Sequence, residues 1–232
     1  LEIIVMNQTT EVGVALVGFG TIGTGVARIL LENGASITHK TGVKIRLAHV
    51  VDTDTTRPRP VALPEGVLHS DLPKALDDPG VSIVVELVGG TTIAAEIQKK
   101  ALAAGKDVVT ANKALLAERG EDIYQLARSR SRSIAFEASC CGGIPLISAI
   151  RTGLAANNIS AIYGIVNGTC NYILSEMNAR GKTYTTALKE AQAAGLAEAD
   201  PTLDVDGSDS AHKLAILATL AFGQTIRYED IP

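Results

Sequence analysis

The stretch Gly18-Phe19-Gly20-Thr21-Ile22-Gly23 constrains this chain more than any other. It follows directly on residues 12–17, a continuous apolar run with the length of a strand buried on both faces. Residues 24–33 come next, with Val26, Ile29 and Leu30 at helical spacing and Gly34 as the expected stop. A glycine run on its own signals only a turn. Between a strand and a helix, G-x-G-x-x-G predicts a dinucleotide site. The first glycine permits the tight turn and the second lets backbone approach a pyrophosphate. The third lets helix and strand pack closely, and the phosphates meet the helix N-terminus.

The same alternation continues. Residues 45–51 read as a second strand ending at Asp52, and residues 81–88 as a third, closed by Gly89-Gly90. A helix over 92–104 stops at Gly105. A short strand, Val108-Val109-Thr110, leads to Ala111-Asn112-Lys113, then a helix over 115–129 and a strand over 134–136. Strands alternating with helices of this length predict an α/β fold, a Rossmann-type doubly wound parallel sheet. Ligands of such sheets lie at the carboxyl ends of strands, where Gly18 to Gly23, Asp52, Gly90 and Lys113 all fall. Asp52 suits the 2′-hydroxyl of NAD, whereas Arg57 and Arg59 suit the 2′-phosphate of NADP, so both cofactors stay open. His49 is expected to be an ordinary strand residue, and His39 and His69 to be solvated in loops.

The pattern changes after residue 136. Residues 137–145 are small and Gly-rich, and an apolar helix is expected over 146–154. Residues 159–166 read as a strand, and Asn167-Gly168-Thr169 as a turn capping a helix over 170–179. A further helix over 185–194 stops at Gly195. The expected division is therefore a dinucleotide-binding domain over 1–135 and a second, α+β domain over 136–232. Five carboxylates then fall within twelve residues (Glu198, Asp200, Asp204, Asp206 and Asp209), ending at Lys213. A calcium loop starting at Thr202 would place Lys213 where a bidentate Glu is required, which excludes it. Asp209 and Lys213 are one turn apart on a helix face.

A formal net charge of -4 and the absence of Trp argue against a nucleic-acid partner. No apolar run reaches the length of a membrane span, and no secretory leader is evident. Cys140, Cys141 and Cys170 make no disulfide framework, so a cytoplasmic setting is expected.

These segments together resemble the homoserine dehydrogenase family along nearly the whole chain. The resemblance rests on residues 18–23, Val109-Thr110-Ala111-Asn112-Lys113-Ala114, Glu137-Ala138-Ser139 with Gly142-Gly143-Ile144-Pro145, residues 164–169 and residues 197–213. It implies NAD(P)-dependent interconversion of L-homoserine and L-aspartate 4-semialdehyde, on the route to threonine and methionine. By position, Lys213 is the proton donor or acceptor and Asp209 its carboxylate partner. Glu198 and Asp204 would hold the substrate ammonium, and Lys113 would stand near the nicotinamide and meet substrate. The resemblance also implies that residues 136–232 form the substrate-binding, catalytic and dimerisation domain of a homodimer, and that a monovalent metal ion, usually sodium, is held largely by backbone carbonyls at Glu137, Cys140, Gly142 and Ile144. Family members continue beyond Pro232, so the second domain is expected to be truncated. Two rival readings remain open: an aldehyde dehydrogenase using Cys140 or Cys141 as a thioester-forming nucleophile, and a dinucleotide-sensing module without turnover.

Overall fold

The apolar run after residue 12 becomes the central strand of a sheet, as its continuous hydrophobicity requires. The structure, a computed structural model, describes residues 10–197 and 200–232. It divides into two compact units. One comprises residues up to Leu115 with Glu121–Phe136; the other comprises Leu116–Gly120 and Glu137–Pro232.

In the first unit, β1 (Thr10–Val17), α1 (Thr21–Glu32), α2 (Gly34–Thr41), β2 (Val43–Val51), β3 (Leu68–His69) and α3 (Leu72–Asp77) come first in the chain. Then come β4 (Val81–Glu86), α4 (Ile93–Ala103), β5 (Asp107–Thr110), α5 (Lys113–Ser129, of which Leu116–Gly120 fall in the second unit) and β6 (Ile134–Ala135). The sheet order is β3-β2-β1-β4-β5-β6, and every pairing is parallel. The direction of winding reverses between β1 and β4, which opens a crevice at the carboxyl ends of those strands. Val14, Leu16, Phe19, Ala27, Leu47, Val50 and Val85 form the core beneath it. Burial of each larger apolar side chain stabilises by roughly 1.5–3 kcal/mol.

Three expectations here are corrected. His39 lies not in a loop but in α2, where it stays exposed. Gly34 does not stop the first helix; Asn33 ends it, and Gly34 begins α2, which closes at Gly42 in the left-handed region (φ 72°). His69 is not a solvated loop residue but lies half-buried in β3, against His49. Parallel pairing of Val51 with His69 brings this about, and such register is invisible in the local pattern.

The second unit is helical among the described residues. A 3-10 turn at Glu137–Ser139 precedes α6 (Leu146–Ser148), which widens into a π-helical turn at Ala149–Gly153. Then come α7 (Gly168–Arg180), α8 (Tyr184–Ala193), α9 (Thr202–Val205), α10 (Ser208–Phe222) and a 3-10 turn at Tyr228–Asp230. Ile173, Ala187, Ala191 and Ala197 pack α7 against α8. The strand expected over 159–166 does not form; the segment has no ladder, and Tyr163 and Ile165 are exposed. Its β-branched composition is suited to a strand, but a strand needs a neighbour. Among its described residues this unit supplies none.

Candidate functional site

The candidate residues fall into two groups, one in each unit. In the first unit the three glycines do three different things. Gly18 has φ +98°, and a Cβ there would stand 2.7 Å from the carbonyl carbon of Leu87. A Cβ on Gly23 would stand 2.0 Å from the Gly18 carbonyl oxygen, so helix and turn touch only because Gly23 lacks a side chain. A Cβ on Gly20 would meet nothing within 4 Å. Space has been left open at Gly20, where a phosphate would approach the first turn of α1, and no side chain caps that turn.

Asp52 follows β2 and grips the glycine turn. Its Oδ2 accepts the Phe19 N–H at 2.5 Å and its Oδ1 accepts the Asp54 N–H at 2.8 Å. Arg59 braces the same loop, donating to the carbonyls of Phe19 (2.8 Å), Arg57 (2.8 Å) and Asp54 (2.7 Å). Its guanidinium also lies 4.9 Å from the Phe19 ring centroid. The two arginines therefore differ: Arg59 is committed to the loop, while Arg57 is exposed. At the end of β5, Asn112 caps α5 by accepting the Leu115 N–H, and donates from Nδ2 to the Gly90 carbonyl at 2.6 Å. Lys113 begins α5 beside it.

In the second unit a polar network joins α7, α9 and α10. Lys213 donates to Asp209 Oδ2 at 2.6 Å and to the Val166 carbonyl at 2.7 Å. Asn167 Nδ2 donates to that same Asp209 oxygen at 2.9 Å and to Asp204 Oδ1 at 2.8 Å. Thr169 Oγ1 lies 2.7 Å from the Leu196 carbonyl oxygen and 3.0 Å from Asp204 Oδ2, its single proton shared between the two acceptors. Asp209 is buried, and the Lys213 side chain keeps 17% of its exposure. Such a pair is unlike a solvated i,i+4 contact, because removing one partner strands the other charge out of water. Asp200 and Asp206 shape the loop instead, accepting the N–H groups of Thr202 and Ser208, and Gly207 turns the chain at φ 89°. His212 packs its ring on Tyr228. Glu198 lies outside the described residues.

The loop from Glu137 to Ile144 contains the carbonyls proposed for a metal ion. The Glu137 carboxylate holds the start of α6, accepting the N–H groups of Ile147 and Ser148 at 2.9 Å and the Ser148 hydroxyl. The Ser148 hydroxyl is the main reason the Glu137 carboxyl is held below its usual range. The Ile144 carbonyl accepts the Leu146 N–H at 2.8 Å. No group of three or more His, Cys, Asp or Glu side chains suited to a metal occurs among the described residues. Cys140 is fully buried, and burial pushes its thiol and that of Cys170 up, away from the thiolate that a nucleophile needs.

The family model for the homoserine dehydrogenase NAD-binding domain matches residues 18–137, and the model for homoserine dehydrogenase itself matches residues 145–232. The chain belongs to the homoserine dehydrogenase family. It is 46% identical over 222 residues to homoserine dehydrogenase of Pseudomonas aeruginosa, covering 94% of this chain and 50% of that protein. The enzyme of Neisseria gonorrhoeae is 45% identical over 217 residues, with coverage of 94% and 50%. The crystal structure of a homoserine dehydrogenase from Thiobacillus denitrificans superposes with a TM-score of 0.84 at 42% identity, covering 95% of this chain and 51% of that one. A hyperthermophilic archaeal homoserine dehydrogenase in complex with NADPH superposes with a TM-score of 0.76 at 25% identity, covering 96% and 75%. The chain spans about half the length of the curated relatives it matches.

Within this family frame, Asp204, Asp209 and Lys213 stand in one network, and Gly18 to Gly23, Asp52, Gly90 and Lys113 lie at or just beyond the ends of β1, β2, β4 and β5. Asn167 and Thr169 join the site although the sequence marks them only as a turn, and Arg59, expected to face a 2′-phosphate, instead braces the loop. The signal for Asn167 and Thr169 was a polar pair opening a helix, which reads as capping alone. Asn167 does cap α7, through Oδ1 and the Cys170 N–H; its amide nitrogen is what enters the network. No helix among the described residues is long and apolar enough to cross a membrane.

Proposed function

We propose that this chain carries the NAD(P)-dependent chemistry of homoserine dehydrogenase, interconverting L-homoserine and L-aspartate 4-semialdehyde toward threonine and methionine. The observation that carries the proposal is the Lys213–Asp209 contact at 2.6 Å, held by the Asn167 amide and the Val166 carbonyl. An ammonium fixed at two points on its protein side keeps a third N–H for a substrate oxygen.

A bound nicotinamide supplies or accepts the hydride. The remaining steps belong to side chains. Reduction of the aldehyde develops negative charge on its oxygen, and Lys213 Nζ both stabilises that charge and delivers the proton. In the reverse direction Lys213 takes the proton from the alcohol. Asp209 fixes the direction of Nζ. Asp204, whose two oxygens are oriented by Asn167 and Thr169, holds the substrate ammonium together with Glu198. Lys113 supplies a second cation near the nicotinamide and substrate. The cofactor rests on the turn from Gly18 through Phe19, Gly20, Thr21 and Ile22 to Gly23, with Gly90 at the neighbouring strand end. Asp52 and Arg57 decide between the 2′-hydroxyl and the 2′-phosphate, with Arg59 bracing their loop.

A monovalent cation fits the segment from Glu137 to Ile144 by donor chemistry. Carbonyl oxygens of Glu137, Cys140, Gly142 and Ile144 are hard, uncharged ligands suited to a single positive charge. Glu137 would contribute through its backbone, because its carboxylate is engaged at α6. Assembly as a cytoplasmic homodimer through the second unit completes the proposal. The test is reduced-nicotinamide absorbance with homoserine and each cofactor in turn, with Glu198→Ala expected mainly to raise the KM for homoserine. Dinucleotide binding without turnover of homoserine would remove the proposal.

A further inference from the structure

Glu86 is a fully buried carboxylate at the last position of β4. Its Oε1 accepts the Val88 N–H at 2.8 Å. Its Oε2 accepts the Gln98 side-chain amide and the Thr110 hydroxyl, each at 2.8 Å. None of these partners is a cation, and a carboxylate in a sheet core is costly to bury for stability alone. What the contacts do share is their location. Val88 leads into Gly89 and Gly90, both in the left-handed region (φ 74° and 69°). Thr110 ends β5, and its hydroxyl, having donated to Glu86, accepts the Asn112 N–H at 3.0 Å. Asn112 then donates back to the Gly90 carbonyl at 2.6 Å and caps the helix that begins with Lys113.

These bonds close a ring: Glu86, Val88, Gly90, Asn112, Thr110 and Glu86 again. We propose that Glu86 is a positioning residue for the cofactor site, setting the two turns after β4 and β5 relative to each other through Val88 and Thr110. Dinucleotide affinity, and the placement of Lys113, then depend on a group that touches neither ligand. The inference rests on the reading of this unit as the dinucleotide-binding one.

The ring also predicts which substitutions are tolerated. Glu86→Gln keeps an acceptor for the Val88 N–H, and its new amide needs an acceptor in return. Rotation of the Gln98 amide presents its Oε1 as that acceptor, and the Thr110 hydroxyl accepts the second amide N–H. The links to Val88 and Thr110 therefore persist, while the Gln98 NH2 moves to the buried position that has no partner among the described residues. Glu86→Ala leaves the Val88 N–H, the Gln98 amide and the Thr110 hydroxyl without their acceptor. Thr110→Val removes the link to Asn112 with almost no change of volume, and Thr110→Ser restores it.

The experiment measures NADH and NADPH dissociation constants by titration for the wild type and these four variants, alongside amide hydrogen exchange at Val88 and Asn112. Glu86→Ala and Thr110→Val are expected to weaken binding about tenfold, the consequence of leaving buried donors unsatisfied. Faster exchange at Asn112 is expected in both, while Glu86→Gln and Thr110→Ser stay within about threefold of wild type. If Glu86→Ala does not fold, the Thr110 pair carries the test. Wild-type affinity in Thr110→Val, or no recovery in Thr110→Ser, overturns the proposal. A wild type that binds neither dinucleotide removes the functional reading instead, and the exchange rates still decide whether Glu86 sets the turns.

Discussion

Lys213 and Asn167 share one oxygen of Asp209, at 2.6 and 2.9 Å, although Asn167 lies far from α10 in sequence. The carboxylate is thereby fixed from two directions, and the ammonium is fixed by the carboxylate. On the proposed mechanism Lys213→Ala removes the proton carrier, in the unit that does not hold the dinucleotide turn. It is expected to lower kcat by about 10²–10⁴-fold while leaving dinucleotide affinity intact, at some cost in stability from the stranded Asp209 charge. Steady-state rates paired with a cofactor titration check this; turnover near wild type in that variant disproves the role.

Asn167→Ala removes the cap of α7 and the bridge between Asp204 and Asp209 together. Loss of the cap costs about 1 kcal/mol. Two neighbouring carboxylates without their shared donor cost more, so the melting temperature falls and the KM for homoserine rises. Asn167→Ser keeps a helix cap but cannot reach both carboxylates. It is expected to recover the melting temperature in part and leave KM high, as thermal melts and substrate titrations will show.

The glycines separate fold from binding. Gly23→Ala forces a methyl group against the Gly18 carbonyl, so it should lower the melting temperature and affinity for cofactor together. Gly20→Ala has open space around it and should melt like the wild type, yet bind dinucleotide at least about tenfold more weakly, as a Cβ intrudes on the phosphates. Equal effects of both substitutions on stability would contradict this division.

A chain of hydrogen bonds at the sheet edge is expected to make the first unit sensitive to acid. The Asp71 N–H donates to His69 Nδ1, so His69 is neutral and carries its proton on Nε2. That proton is donated to His49 Nδ1 at 2.8 Å, and His49 donates from Nε2 to Asp78 at 2.9 Å. Burial, then the neighbouring His49 and Lys74, holds His69 below the ordinary imidazole range. A histidine with a lowered folded-state pKa binds fewer protons folded than unfolded. Its contribution is therefore complete above the unfolded value of about 6.5 and declines as pH falls below it. The His49 contact and the Gly80 N–H keep the Asp78 carboxyl below its usual value, so that group matters only at lower pH. Melting temperature is expected to drop between about pH 7.5 and pH 5.5, and His69→Gln to flatten that slope. A slope unchanged in His69→Gln assigns the acid sensitivity elsewhere.

Replacing Cys140, Cys141 and Cys170 by alanine is expected to leave turnover within about threefold of wild type, at some cost in stability from the cavity at buried Cys140. Collapse of kcat with the fold intact would revive a thioester route.

Much of the first unit was legible because its signals are local. A continuous apolar run of strand length, closed by glycine, reads as a buried strand, and G-x-G-x-x-G between strand and helix then marks Gly18, Gly20 and Gly23. The pairing of Asp209 with Lys213 was legible too, because helical spacing alone brings them together. Tertiary structure decided the rest, wherever partners meet across long stretches of chain. His69 took its place beside His49 through the register of β3, and Asn167 reached Asp204 and Asp209 through the packing of three helices. The segment over 159–166 marks the opposite limit: its residues favour a strand, yet a ladder is a property of two segments, and composition specifies only one of them.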